Sequence, residues 1–101
     1  MSQEDVDHDK MMGCMKFVHD RLVKESYNRQ SNDNWVEDEL MVVVDSANLW
    51  AQRHGISRRI SEDVARRLEK SALGHVDYMT KWALCVSEWM LGMRPFGGGR
   101  A

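Results

Sequence analysis

Apolar residues recur every three or four positions along most of the chain, and residues 76–93 are the most apolar segment. The stripe consists of Val76, Met79, Ala83, Val86, Met90 and Met93. Further apolar side chains extend it nearly around the helix: Trp82, Leu84, Cys85, Trp89 and Leu91. Because a helix that is apolar on nearly every side must be covered by neighbouring elements, this segment is predicted to be the central helix.

Three further segments have the same helical period. In residues 6–28 the apolar positions are His8, Met11, Met15, Val18 and Leu22, with Met12, His19 and Val23 beside them. Residues 28–34, NRQSNDN, interrupt the pattern with turn-forming side chains. A second period covers residues 34–54, and Ser61 is the best cap for a short helix over residues 61–73.

The sequence therefore predicts an all-α fold, a small bundle of about four helices near residues 6–28, 34–54, 61–73 and 75–93, with the C-terminal helix central. Residues 1–93 are expected to form one helical domain. Pro95 cannot continue a helix, so residues 94–101 are predicted to be a flexible tail.

The valine run in residues 40–44, LMVVV, leaves an alternative open. β-Branched residues favour strands, whereas the apolar period continues on both sides of the run from Val36 to His54. The longer period favours a helix.

Composition restricts the class of protein. The chain has 101 residues, of which 43% are hydrophobic and 30% charged, with one proline and two cysteines, as expected for a single globular domain. Residues 82–93 are too short an apolar run to cross a membrane, and Glu88 lies within them. The N-terminus is polar and acidic, unlike a signal peptide. Cys14 and Cys85 are expected to be free buried thiols, and the location cytoplasmic.

Charge is divided unequally along the chain. Residues 1–50 carry five Lys or Arg against eleven Asp or Glu, a net charge of −6, whereas residues 51–101 carry nine against five, a net charge of +4. Acidic and basic helices are expected to face one another within the fold or across a dimer.

Residues 41–50, MVVVDSANLW, resemble the opening strand of the NYN or PIN-like nucleases. In that family the strand ends in Asp followed by a small residue and Asn, and the Asp helps to hold a divalent metal. The resemblance implies a metal-binding role for Asp45, with Asn48 beside it. If the segment is helical, Asp45 and Asn48 are expected to be solvent-facing surface residues.

Residues 47–64, ANLWAQRHGISRRISEDV, resemble a helix-turn-helix DNA-binding unit. Ala51, Gly55, Ile56 and Val64 occupy the packed, turn and core sites of that motif, whereas His54 and Ser61 depart from it. The resemblance implies a DNA-binding regulator that uses residues 47–67. Its possible nucleic-acid-binding residues are Arg53, Ser57, Arg58, Arg59 and Lys70. The structural alternative is a helix that stops at Gly55, followed by a connector.

No constellation of catalytic residues stands out. The four histidines are scattered, and none lies three or four residues from another His or a Cys. We therefore expect no catalytic residues, metal site or cofactor. The expected function is a small non-enzymatic intracellular interaction module, an adaptor or inhibitor with a protein partner. It is expected to form a homodimer through the last helix, at Trp82, Trp89, Leu84, Cys85 and Leu91.

Overall fold

The computed structural model describes residues 3–31 and 39–93, with side chains described in residues 8–26 and 39–93. Its four helices are α1 (Gln3–Ser31), α2 (Glu39–Arg53), α3 (Glu62–Ala72) and α4 (Tyr78–Met90). They confirm the predicted all-α bundle. The first part of the predicted second helix and the predicted tail, residues 94–101, lie outside the described residues.

α4 and α2 each pack against all three other helices, and α4 has the most extensive contacts with α1 and α3. The buried side chains of α4 include Trp82, Val86 and Met90. α3 contributes the buried residues Ala65, Leu68 and Ala72, one side of a strongly amphipathic helix. The hydroxyl of Tyr78 also donates a hydrogen bond of 3.0 Å to Glu39 Oε1, which joins the starts of α4 and α2.

The valine run is helical throughout. It lies inside α2, where Val42, Val43 and Val44 are all buried together with Leu40 and Ala47. The helical prediction for residues 40–44 is thereby confirmed, and the strand alternative is wrong. Burial on the bundle side outweighs the modest strand preference of β-branched residues.

The last helix begins later than the spacing predicts. Asp77 caps α4, since its carboxylate accepts hydrogen bonds from the Thr80 backbone N–H at 3.3 Å and from Thr80 Oγ1 at 2.7 Å. Val76 therefore lies in the preceding turn and is fully exposed, and Met93 is also exposed at the other end. Both were expected in the buried stripe, and that expectation is wrong.

α1 is much longer than the elements it covers. Its 29 residues span about 43 Å at 1.5 Å per residue, close to the 46 Å longest dimension of the molecule. Met11, Cys14, Val18 and Leu22 form its buried side. Met15 is only half-buried, so the core side of α1 is rotated from the predicted stripe.

Candidate functional site

The aromatic side of α4 is covered within the chain. Trp82 and Cys85 are fully buried, and Trp89 is 9% exposed. Trp82 Nε1 donates a hydrogen bond of 3.1 Å to the Ala65 carbonyl of α3. Leu84 and Leu91, the other residues of the expected interface, are half-buried. The expectation that Trp82, Trp89 and Cys85 lie on an exposed face is therefore wrong.

The connector between α2 and α3 supplies part of this cover. The Arg58 guanidinium lies 4.3 Å from the centre of the Trp89 ring, a cation–π contact. Gly92 leaves room for it: a Cβ at that position would lie 3.2 Å from Arg58 Nη1, and the φ angle of Gly92 is +70°. Sequence reasoning missed this cover because Arg58 and Trp89 are distant in the chain.

An exposed apolar face lies on α1. We define the α1 stripe as Met12, Met15, His19 and Val23, which are three or four residues apart and therefore share one face. Met12 is 41% exposed and Val23 is 43% exposed, with half-buried Met15 and His19 between them. The apolar sector of α1 is thus wider than the part that the bundle buries.

Two shallow grooves follow this stripe. A groove of about 590 Å³ is lined by Met12, Met15, Lys16 and His19 of α1 and by Thr80 at the start of α4. A second groove of about 380 Å³ is lined by His19, Asp20, Val23 and Lys24. One end of the stripe therefore borders each groove.

Charged side chains lie along the same surface. Lys16, Asp20 and Lys24 are exposed, and His19 Nδ1 is 3.6 Å from Asp20 Oδ1. Hydrogen bonds from Thr80 lower the pKa of Asp77, and the nearby His19 lowers it further. The stripe is thus an apolar strip bordered by charges of both signs.

The basic segment has a different geometry from the one that a helix-turn-helix requires. α2 ends in a Schellman motif, in which Gly55 has a φ of +70° and the Ile56 N–H bonds to the Ala51 carbonyl at 2.9 Å. Residues 56–61 then form a non-helical connector, and Ser61 is the N-cap of α3. A helix-turn-helix has a turn of three or four residues, so this connection is too long.

The candidate nucleic-acid-binding residues are accordingly spread over three elements. Ser57, Arg58 and Arg59 lie in the connector and not at the start of a recognition helix. Arg59 Nη1 donates to the carbonyls of Ile56 and Arg58, at 2.6 and 2.8 Å. Arg53 and Lys70 are exposed on α2 and α3.

Asn48 holds this connector in place. Its side-chain amide donates to the Ile60 carbonyl at 3.1 Å and its oxygen accepts from the Ile60 N–H at 2.8 Å. The expectation that Asn48 is merely a solvent-facing residue is therefore wrong. Asp45 is exposed, as expected for this residue in a helix. Because residues 41–50 are helical, they do not form the opening strand that the nuclease resemblance implies.

Cys14 and Cys85 are both buried and are not joined in a disulfide. Burial raises the pKa of the Cys14 thiol, and a hydrogen bond with Ser87 opposes that change. Among the described residues, no group of three or more His, Cys, Asp or Glu side chains is placed to hold a metal ion. None of the described helices is long and apolar enough to cross a membrane.

Comparison with known proteins adds no relative: no protein-family model, curated protein or solved structure matches the chain.

Proposed function

We propose that the protein is a non-enzymatic interaction module that self-associates through the α1 stripe. It acts by binding a protein partner and not by catalysing a reaction. The observation that carries the proposal is the pair of exposed apolar side chains, Met12 and Val23, on one face of α1. A shallow groove lies at each end of the stripe. The interface proposed here is on α1 and not on α4 as the sequence predicts, because the tryptophans of α4 are buried.

The exposed area sets the strength that we expect. Full burial of a Met or Val side chain stabilises a complex by roughly 1.5–3 kcal/mol, so removing the remaining two-fifths of exposure contributes about 1 kcal/mol per side chain. Two copies would bury four such side chains, for a gross gain of about 4 kcal/mol, which only equals the lowest estimates of the cost of association. A dimer at about 0.5 mM needs a net gain of about 4–5 kcal/mol, so the half-buried Met15 and His19 and the groove surfaces must contribute the rest. We therefore expect at most a weak, reversible dimer at high protein concentration.

Other exposed apolar side chains provide the control. Leu73 and Val76 are more exposed than Met12 or Val23, at 59% and 108%, but they lie in the turn between α3 and α4. Isolated apolar residues on a surface are common and do not indicate an interface. Val76→Glu is thus a matched control for Val23→Glu.

The test is the solution mass by light scattering after size exclusion, at protein concentrations up to about 0.5 mM. The parent and Val76→Glu should both show a rise in mass with concentration. Met12→Glu and Val23→Glu should remain monomers with unchanged helical content. A parent that stays monomeric, or a Val23→Glu variant that associates like the parent, would refute the proposal.

A DNA-binding regulator is the second function that the sequence suggests. The exposed basic side chains of Arg53, Arg58, Arg59 and Lys70 support it. The connector weakens it, since Arg58 packs over Trp89 and Arg59 bonds to main-chain carbonyls.

A further inference from the structure

We infer that the second copy binds in the antiparallel direction along α1, with Lys16 of each copy facing Asp20 of the other. The inference rests on the self-association proposed above and adds the orientation of the pair and the contacts that select it. It follows from the order of the exposed apolar and charged residues along this side of α1.

The order of these residues is self-complementary when the helix is reversed. Met12, Lys16, Asp20 and Val23 are exposed and follow one another at steps of four, four and three residues. At about 100° per residue they lie within about 80° of one another around the helix. Read forwards the order is apolar, basic, acidic, apolar, and read backwards it is apolar, acidic, basic, apolar.

An antiparallel pair therefore matches every position. Met12 of one copy meets Val23 of the other, and Lys16 meets Asp20. The midpoint of each pair of residues lies near residue 18, so one crossing point satisfies both contacts. Each contact occurs twice because a two-fold axis relates the copies, which gives a closed dimer. The pairs between Lys16 and Asp20 are exposed, so each contributes modestly and mainly selects the orientation.

A parallel pair does not match. It would place Lys16 against Lys16 and Asp20 against Asp20, and like charges at close range oppose association. The two grooves agree with the antiparallel arrangement, since Met12 borders one and Val23 borders the other. Each flexible Met12 side chain would enter the groove beside Val23 of the other copy.

Disulfide trapping tests the orientation directly. Cys14 and Cys85 are fully buried, so cysteines introduced by Met12→Cys and Val23→Cys are the accessible thiols. With oxidised glutathione as the oxidant, we expect a covalent dimer when the two variants are mixed and little from either variant alone. Covalent dimers of Met12→Cys alone would indicate a parallel pair and overturn the inference. No covalent dimer in the mixture would also overturn it.

Charge reversal tests the proposed ion pairs. Lys16→Glu or Asp20→Lys should weaken self-association about tenfold or more, since each exchanges two attractive pairs for two repulsive ones. The double variant Lys16→Glu with Asp20→Lys should recover the parent affinity. Lys10→Glu, an equal charge change at an exposed position on another side of α1, is the control.

The outcomes separate the inference from the proposed function. A parent protein that remains monomeric refutes self-association itself. A parent that dimerises and loses its dimer in Val23→Glu, but whose affinity is unchanged by Lys16→Glu, supports the interface and refutes the antiparallel ion pairs.

Discussion

Replacing Asn48 by Ala removes both hydrogen bonds that anchor the connector between α2 and α3. These bonds join the side chain to the N–H and carbonyl of Ile60, at 2.8 and 3.1 Å. Ile60 is itself only 3% exposed. Its backbone groups would therefore be left without their side-chain partners in a largely buried site, where an unsatisfied group costs roughly 1–3 kcal/mol.

We expect Asn48→Ala to lower the free energy of unfolding by about 2–3 kcal/mol, allowing for partial access of water to Ile60. In a domain of this size, about 1 kcal/mol shifts the melting temperature by roughly 4–8 °C. The expected fall in melting temperature is thus about 10–20 °C. Thermal and urea unfolding followed by circular dichroism measure both quantities.

Two variants provide the controls. Asn48→Asp keeps the acceptor for the Ile60 N–H but replaces the donor to the Ile60 carbonyl by a second acceptor oxygen, which that carbonyl repels, so its stability should be close to that of Asn48→Ala. Asp45→Ala changes an exposed residue of the same helix and should alter stability by no more than about 0.5 kcal/mol. If Asn48→Ala and Asp45→Ala have equal effects, the anchoring role of Asn48 is wrong.

Two further predictions concern Cys14 and the basic connector. Because burial raises the pKa of Cys14 above the ordinary thiol value of about 8.5, its contribution to stability should be complete below about pH 8.5 and be lost at higher pH. Urea unfolding at pH 7 and pH 10 should show a larger loss in the parent than in Cys14→Ala, and equal losses would contradict the assignment. If the connector binds DNA, the parent should shift a duplex at low salt and Arg58→Ala with Arg59→Ala should abolish the shift. If the parent protein does not shift the duplex at low salt, DNA binding by the connector is excluded.

The helices follow from the sequence because their apolar periods are long. The period around the valine run extends over several turns, and α2 obeys it in spite of three consecutive β-branched residues. The apolar period predicts too early a start for α4, because Val76 fits that period. The local hydrogen bonds of Asp77 with Thr80 decide the boundary, and apolar periodicity does not contain that information.

The candidate surface could be predicted only in part. Met12, His19 and Val23 are visible as apolar or amphipathic neighbours of the main period in α1. Which side of this wide sector faces the core depends on how α2 and α4 pack against it. Sequence spacing therefore identifies the residues of the stripe and not their exposure.

The burial of the α4 tryptophans depends on contacts between distant residues. The Ala65 carbonyl accepts from Trp82, and Arg58 covers Trp89. Helix lengths predicted from the sequence underestimate how much of the α4 surface is covered. The non-helical connector between α2 and α3 also covers part of α4. For the same reason the role of Asn48 is invisible in the sequence, since its partner is a backbone group twelve residues away.

Sedimentation equilibrium of the unmodified protein over a range of concentrations tests the central claim most directly. We predict a mass that rises from 11.7 kDa towards twice that value as the concentration increases, and that fits a single monomer–dimer equilibrium. A mass that stays at that of the monomer up to about 0.5 mM would contradict self-association through the α1 stripe.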